Sequence, residues 1–372
     1  MRSIREIKNL KGKTALVLVD FNVPIKNGKV LDDFRIKKAI PTIKFLEKKD
    51  AKIILITHLG KDGTESLEPV IKHFFKISKC SKSRISFFEN VRKHKGEMEN
   101  SLSFAKKLAE LGDVYVNEAF SVSHRNHASI VSLPKLLPSY AGFQLEEEVK
   151  NLSKVFKNPK HPFLYIAGGA KFETKLPLIE KYLRIADKIF VGGALANDFL
   201  KAKGYEVGKS LVSDSISGIG NIAKNLKIIL PKDVVVKYDT NSAYAEDVSL
   251  GKAQKIGKKD MIIDIGKESV KNLENLIKKS KTILWNGPLG KYEDGGGKAT
   301  KEIIKFILKS YSAKASQDTA ILGGGDLASL VPKNYLKSKR ERLKPGIFIS
   351  TGGGATLDFL ANGTLPGIRA LK

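Results

Sequence analysis

What most constrains this chain is a repeated unit: a short β-rich apolar run, a glycine-rich or polar turn, then a helix-like stretch with Lys and Glu on one face. Units alternating in this way build a parallel sheet covered by helices on both faces, because parallel strands need a long crossover and a helix supplies it. The predicted strands are 14–19, 52–56, 85–88 and 113–116 in the first part. In the second they are 163–167, 188–191, 227–230, 282–285, 319–322 and 346–350. Helical spacing falls between them, for example over 101–111, 174–185 and 299–309.

The chain has 372 residues, and at about 150 residues per domain that length suits two domains or three. The boundary is placed by 145–160 (LEEEVKNLSKVFKNPK), which has acids in its first turn, apolar spacing near 3.6 and Asn158-Pro159 as a stop. It reads as a linker helix. The expected fold class is therefore α/β, with two Rossmann-like parallel-sheet domains. No short-period repeat points to a solenoid.

Hydrophobic residues make up 42% of the chain, enough for real cores, so global disorder is excluded. The longest apolar run near the start is only as long as 15–19 (ALVLV), far short of the roughly 20 residues of a membrane span. A single cysteine, Cys80, fits a reducing compartment. The expectation is a soluble cytoplasmic protein without a membrane partner. The net charge of +27 raises nucleic acid as a partner. However, only ten of the 66 basic residues are arginine and the lysines are dispersed, which is the signature of a solvated surface more than of a phosphate-reading site. The best candidate patch is the short run 337–344 (KSKRERLK).

In open parallel sheets ligands bind beyond the C-terminal strand ends, and here the two halves differ. In the first, Asp20 and Asn22 follow one strand and Arg35 comes soon after. His58 and Lys61 follow the second strand, Asn90 and Arg92 the third, and Asn117, Glu118, His124 and Arg125 the fourth. Arginine and histidine forks suit an anion carrying phosphate and carboxylate groups. In the second half the strand ends carry glycine: Gly168-Gly169, Gly192-Gly193, 323–325 and 352–354. Such turns bring backbone close to a ligand, and helices starting after them aim free N–H groups at phosphate. Four in one domain favour a nucleotide. Lys171 and Lys175 are spaced to face the same way, and Asp326 follows its glycine turn directly, where it could hold Mg²⁺ bound to phosphates. Neither a Walker motif nor a GxGxxG dinucleotide unit is present, and no histidine spacing matches a zinc cage. An anion pocket in one half and a nucleotide site in the other suggest phosphoryl transfer.

These motifs together resemble the phosphoglycerate kinase family over nearly the whole chain. VDFNVP, DDFRI, THLG, ENVR, VNEAF and SHRNHAS are similar to its substrate-domain signatures. GGAKFETK, WNGPLGKYE, GGGD and STGGGATLDFL with LPGIRAL are similar to its nucleotide domain and C-terminal segment. The resemblance implies Mg²⁺-dependent, reversible transfer between ATP/ADP and 3-phosphoglycerate/1,3-bisphosphoglycerate. It also implies a phosphoglycerate-binding domain over 1–150, a nucleotide-binding domain over 151–350 and a segment 351–372 returning to the first domain.

Carried over by matching positions, Asp20, Phe21, Asn22, Arg35, His58, Leu59, Gly60, Lys61, Arg92 and Arg125 would hold phosphoglycerate. Arg35 and Lys171 would be catalytic, stabilising the phosphoryl group in flight. Lys175, Glu293, Gly323, Gly324, Gly325 and Asp326 would bind nucleotide, Asp326 also Mg²⁺, and the amides of Gly352, Gly353 and Gly354 phosphate oxygens. The family's HLGRP reads HLGKD here, so Lys61 replaces an arginine. Leu18, Leu327 and the short glycine-rich loop after Glu293 also depart from the family pattern. A monomer is expected. The alternative is a nucleic-acid-binding or scaffolding protein that keeps the fold.

Overall fold

The structure, a computed structural model, describes residues 1–170, 172–214, 218–239, 245–250, 256–310, 318–332 and 346–371. The chain divides into one compact unit of Met1–Lys150 with Asn362–Lys372 and a second of Asn151–Ala361.

In the first unit, strands β1 (Thr14–Leu18), β4 (Lys52–Ile56), β5 (Ile85–Phe87), β6 (Val114–Asn117) and β7 (Ser139–Ala141) form a parallel sheet ordered β5-β4-β1-β6-β7. A small hairpin, β2 (Ile25–Lys26) with β3 (Lys29–Val30), stands apart. β1 lies between β4 and β6, with Leu16 opposite both Ile54 and Tyr115. Its residues Ala15, Leu16, Val17 and Leu18 are all buried, as expected where helices cover both faces of a sheet. Phe21 joins this core through a tilted contact with Phe74 at 5.8 Å between ring centroids.

In the second unit the parallel sheet runs β10 (Ile228–Ile229), β9 (Lys188–Val191), β8 (Phe163–Ala167), β14 (Thr282–Asn286), β15 (Thr319–Gly323), β16 (Ile347–Ile349). A three-stranded antiparallel sheet, β12-β11-β13 (Ala245–Ser249, Asp233–Lys237, Met261–Ile265), is added to it. The sequence reading did not foresee this sheet. Trp285, fully buried in β14, anchors the core with Leu164, Ile303 and Leu322. The unit keeps the helix Gly354–Asn362, where Phe359 contacts Phe156 at 5.7 Å and Lys181 Nζ donates to the Leu360 and Ala361 carbonyls at 2.5 and 2.9 Å.

The helix at the unit boundary spans Phe143–Lys157 and starts two residues earlier than its spacing predicted. The reason is tertiary. The Glu118 carboxylate accepts the Gln144 N–H at 3.1 Å, and Thr42 Oγ1 accepts the Phe143 N–H at 2.9 Å, so side chains from elsewhere satisfy the first turn.

In both parallel sheets the strand order reverses once, beside β1 in the first unit and beside β8 in the second. Crevices at such reversals are where open α/β sheets hold their ligands.

Candidate functional site

In the first unit the reversal brings the end of β1 beside the end of β6. Asp20, just beyond β1, accepts Arg35 Nη1 at 2.8 Å and the Ser121 hydroxyl from the turn after β6. Arg35 also donates to the Asn22 carbonyl at 3.1 Å, and the Asn22 side-chain oxygen accepts the Gly60 N–H at 3.1 Å. Arg92 Nη1 donates to the Gly60 carbonyl at 2.6 Å and the Lys61 carbonyl at 3.2 Å, while Asn90 Nδ2 donates to the Leu59 carbonyl at 2.8 Å. Four strand-end turns are thereby locked to one another. The lock accounts for Gly60 and Gly63, both at positive φ: a Cβ on Gly63 would lie 2.4 Å from the Arg92 backbone.

Beside this lock is a small cleft with His58, Arg92, Arg125 and His127 on its walls. Two buried polar atoms there, His58 Nε2 and Arg125 Nη1, have no hydrogen-bond partner, and neither has His124 Nδ1 nearby. Unpaired buried polar atoms are costly, and their gathering in one cleft of cationic side chains makes it the candidate site of this unit. Burial pushes the His58 imidazole down to about 4, with the charges of Arg125 and Arg35 adding to it and Asp20 opposing. His58 is therefore neutral at pH 7 and is not a general acid. Among the ten substrate-binding candidates, Phe21 and Leu59 turn their side chains into the core, which leaves only their backbone for a ligand.

In the second unit the reversal brings β8 beside β14. The Gly168 N–H donates to the Asn286 carbonyl at 2.8 Å and the Gly169 N–H to that of Pro288 at 2.6 Å. A Cβ on Gly168 would lie 2.4 Å from the Gly287 and Pro288 carbonyl oxygens, and one on Gly193 2.6 Å from Gly169 N. The glycines at these ends are thus required by backbone meeting backbone.

Lys175 is buried, and its Nζ donates to Asn286 Oδ1 at 2.7 Å. Asn286 Nδ2 donates in turn to the Gly323 carbonyl at 3.0 Å. Asn286, which the motif reading left without a role, links the lysine to the GGGD turn. At the fourth turn the Gly352 N–H donates to Ser350 Oγ at 3.2 Å, and Gly353 has positive φ where the helix Gly354–Asn362 begins.

Next to these turns opens a mainly apolar pocket. Its walls include Gly169, Gly193, Leu289 and, from the antiparallel sheet, Val234, Ile262 and Ile263, with exposed Glu293 at its edge. The sheet residues were missed because no motif marks them; their signal is the β-branched run in DVVVK and the apolar MIIDI run. Asp264, also on the wall, accepts the Ala299 and Ile265 N–H groups at 3.1 and 3.0 Å, and burial pushes its carboxyl up to about 6.

Lys171 and the basic run 337–344 lie outside the described residues. Asp326 is placed by its backbone in the helix Gly325–Ser329. Among the described residues no helix is long and apolar enough to cross a membrane, and no cluster of three His, Cys, Asp or Glu side chains is placed to hold a metal.

A cationic cleft with unpaired donors at one sheet reversal and an apolar pocket rimmed by glycine turns and lysine at the other define a class, a two-unit α/β phosphotransferase for small molecules. A family model described as phosphoglycerate kinase matches residues 4–82 and 75–363. The phosphoglycerate kinase of Coprothermobacter proteolyticus is 38% identical, covering all of this chain and 98% of that relative. That of Borreliella burgdorferi is 37% identical over all of this chain and 99% of the relative. Among solved structures, phosphoglycerate kinase from Coxiella burnetii superposes with a TM-score of 0.81 at 33% identity, covering 99% of this chain and 98% of its own. The enzyme from Pyrococcus horikoshii OT3 superposes at 0.86 with 28% identity, covering 100% and 98%.

The chain belongs to the phosphoglycerate kinase family. It is an enzyme, a glycolytic kinase whose acceptor is a carboxyl group. None of these matches favours the alternative of a nucleic-acid-binding or scaffolding protein.

Proposed function

We propose that the first unit's cleft binds 3-phosphoglycerate or 1,3-bisphosphoglycerate and the second unit's pocket binds ATP or ADP. The observation that carries this reading is the pairing of chemistries: unpaired buried His58 and Arg125 atoms at one switch point, and glycine amides with Lys175 at the other. The functional division follows the two units: 1–150 for phosphoglycerate and 151–361 for nucleotide, with the part of the 351–372 segment that serves the first domain narrowed to its last residues, 362–372. Asp20, Asn22, Arg35, His58, Lys61, Arg92 and Arg125, with the backbone of Phe21, Leu59 and Gly60, hold phosphoglycerate.

In the ATP-consuming direction a carboxylate oxygen of 3-phosphoglycerate attacks the γ-phosphorus, the bond to ADP breaks, and an acyl phosphate forms. The nucleophile is already ionised at pH 7, so no general base is required, which suits a cleft whose histidine is neutral. The rate comes from in-line positioning and from cations around the moving group. Arg35 and Lys171 supply those cations. Arg35 is aimed by Asp20 and the Asn22 carbonyl.

On the nucleotide side, Lys175, the amides of Gly323, Gly324 and Gly325 and those of Gly352, Gly353 and Gly354 receive phosphate oxygens. The apolar wall takes the base and Glu293 the ribose. Mg²⁺, when bound, neutralises charge between the nucleotide phosphates. Its donor set fits here, since Mg²⁺ takes one or two carboxylates plus phosphate oxygens and water. Asp326 supplies the carboxylate, and Gly325 beside it has no heavy atom within 4 Å of a Cβ position, leaving room for phosphate. We place the protein in the cytoplasm as a monomer, with the two domains closing over the ligands to exclude water from the acyl phosphate.

The test is a split of constants. Arg35→Ala should lower kcat by about 100-fold or more and raise the KM for phosphoglycerate together, leaving the KM for ATP within about twofold. A change confined to the ATP constant would overturn the division of roles.

A further inference from the structure

We infer that Glu97 is a positioning residue of the phosphoglycerate cleft, fixing through Ser129 the turn that presents Arg125 and His127 to the bound anion; the inference rests on the reading of that cleft given above. Glu97 lies in the short helix Lys95–Met98 and is only 2% exposed. It is nevertheless an acid on the wall of a cleft whose other titratable side chains are His58, Arg92, Arg125 and His127. A charged carboxylate there would repel phosphate, and burial pushes the Glu97 carboxyl up, against its charged form.

Each of its oxygens accepts a hydrogen bond from Ser129. Ser129 N–H donates to Oε2 at 2.9 Å and Ser129 O–H to Oε1 at 2.7 Å. His127 Nδ1 stands 3.6 Å from Oε1, beyond a hydrogen bond, and burial together with the Arg125 charge pushes the His127 pKa down, so the hold on the segment runs through Ser129 rather than through an ion pair. The Ser129 carbonyl accepts the Tyr115 hydroxyl from β6 at 2.9 Å. Glu97 and Tyr115 therefore clamp one residue from two sides, one from a loop helix and one from the sheet.

The clamped segment needs this. Ala128–Ser132 is a π-helical turn, wider than an α-helix and rare without tertiary support. Arg125, three residues before that turn, has its Nη1 buried and unpartnered, so nothing polar on the protein fixes that arm of the guanidinium. The backbone that carries it must then be fixed. Glu97 takes no part in the transfer step, and its burial is otherwise unexplained by the mechanism.

The experiment measures kcat and both KM values for the full chain, for Glu97→Gln, for Ser129→Ala and for the double variant. Each single variant should raise the KM for 3-phosphoglycerate about fivefold to tenfold and leave the KM for ATP within about twofold. The double variant should be no worse than Glu97→Gln alone, because both changes break one chain of contacts. An unchanged phosphoglycerate KM in folded Glu97→Gln, or both KM values rising together, would overturn the positioning role. If Glu97→Gln does not fold, Ser129→Ala decides by the same split. A wild-type protein without phosphoglycerate-dependent turnover would overturn the reading of the cleft, and the inference with it. Normal wild-type turnover with unmoved variants overturns the inference alone.

Discussion

At the scale of single residues, His58 is the side chain whose environment makes the most direct prediction. Unfolded, it takes up a proton near 6.5; folded, burial delays that to about 4. Its contribution to stability is therefore complete above pH 6.5 and is lost as the pH falls towards 4, amounting to about 3 kcal/mol at most. His58→Gln should flatten the fall in urea stability between pH 6.5 and 4.5, and an unaltered fall would show that His58 is not held neutral. His58 and Arg125 stand out in the sequence because they come after apolar strand runs, beyond whose C-terminal ends open parallel sheets hold ligands, and Arg35 because it soon follows the first of them. Asn286 and Glu97 were not. Asn286 acts through Lys175 and the Gly323 carbonyl, and Glu97 through Ser129, and a partner 30 or 100 residues away leaves no local pattern.

At the scale of elements, the glycine turns carry the argument. Gly168 cannot accept a Cβ, because two backbone carbonyls occupy the space. Gly168→Ala should cost about 1–3 kcal/mol and raise the KM for ATP; denaturation and initial rates check it together. Gly220, exposed within Ile219–Ala223 with nothing within 4 Å, is the contrast. Gly220→Ala should gain about 0.5–1 kcal/mol with kinetics unchanged.

The parallel strands were readable because burial on both faces makes them continuous apolar runs. Three things escaped. Ser139–Ala141 is a three-residue edge strand between Pro138 and Gly142, too short for periodicity to register. The β2–β3 hairpin was signalled by Asn27-Gly28, both at positive φ, but its strands are only two residues long. The antiparallel sheet lacks the turn-plus-helix unit that marks the parallel strands, and with it went the part of the pocket wall formed by Val234, Ile262 and Ile263.

At the scale of the whole molecule, the last residues belong with the first. Leu365, Ala370 and Leu371 are buried, and Gly367 N–H donates to the Ser123 carbonyl at 2.8 Å, two residues before Arg125. A chain ending at Ala361 should lose phosphoglycerate affinity about tenfold or more while retaining ADP binding by calorimetry. Equal loss of both would contradict the division. The net charge of +27 is consistent with anionic ligands on both sides, since a positive surface steers them in.

The central claim is that this chain moves a phosphoryl group between ATP and phosphoglycerate with Arg35 and Lys171 as its cations. The most direct measurement is ATP- and Mg²⁺-dependent turnover of 3-phosphoglycerate, pulled forward by glyceraldehyde-3-phosphate dehydrogenase and read as NADH oxidation, in the wild type and in Lys171→Ala. The account predicts turnover that needs all three components and falls by about 100-fold or more in folded Lys171→Ala. Folded wild-type protein that binds nucleotide but gives no turnover, or a Lys171→Ala variant as fast as wild type, would contradict it.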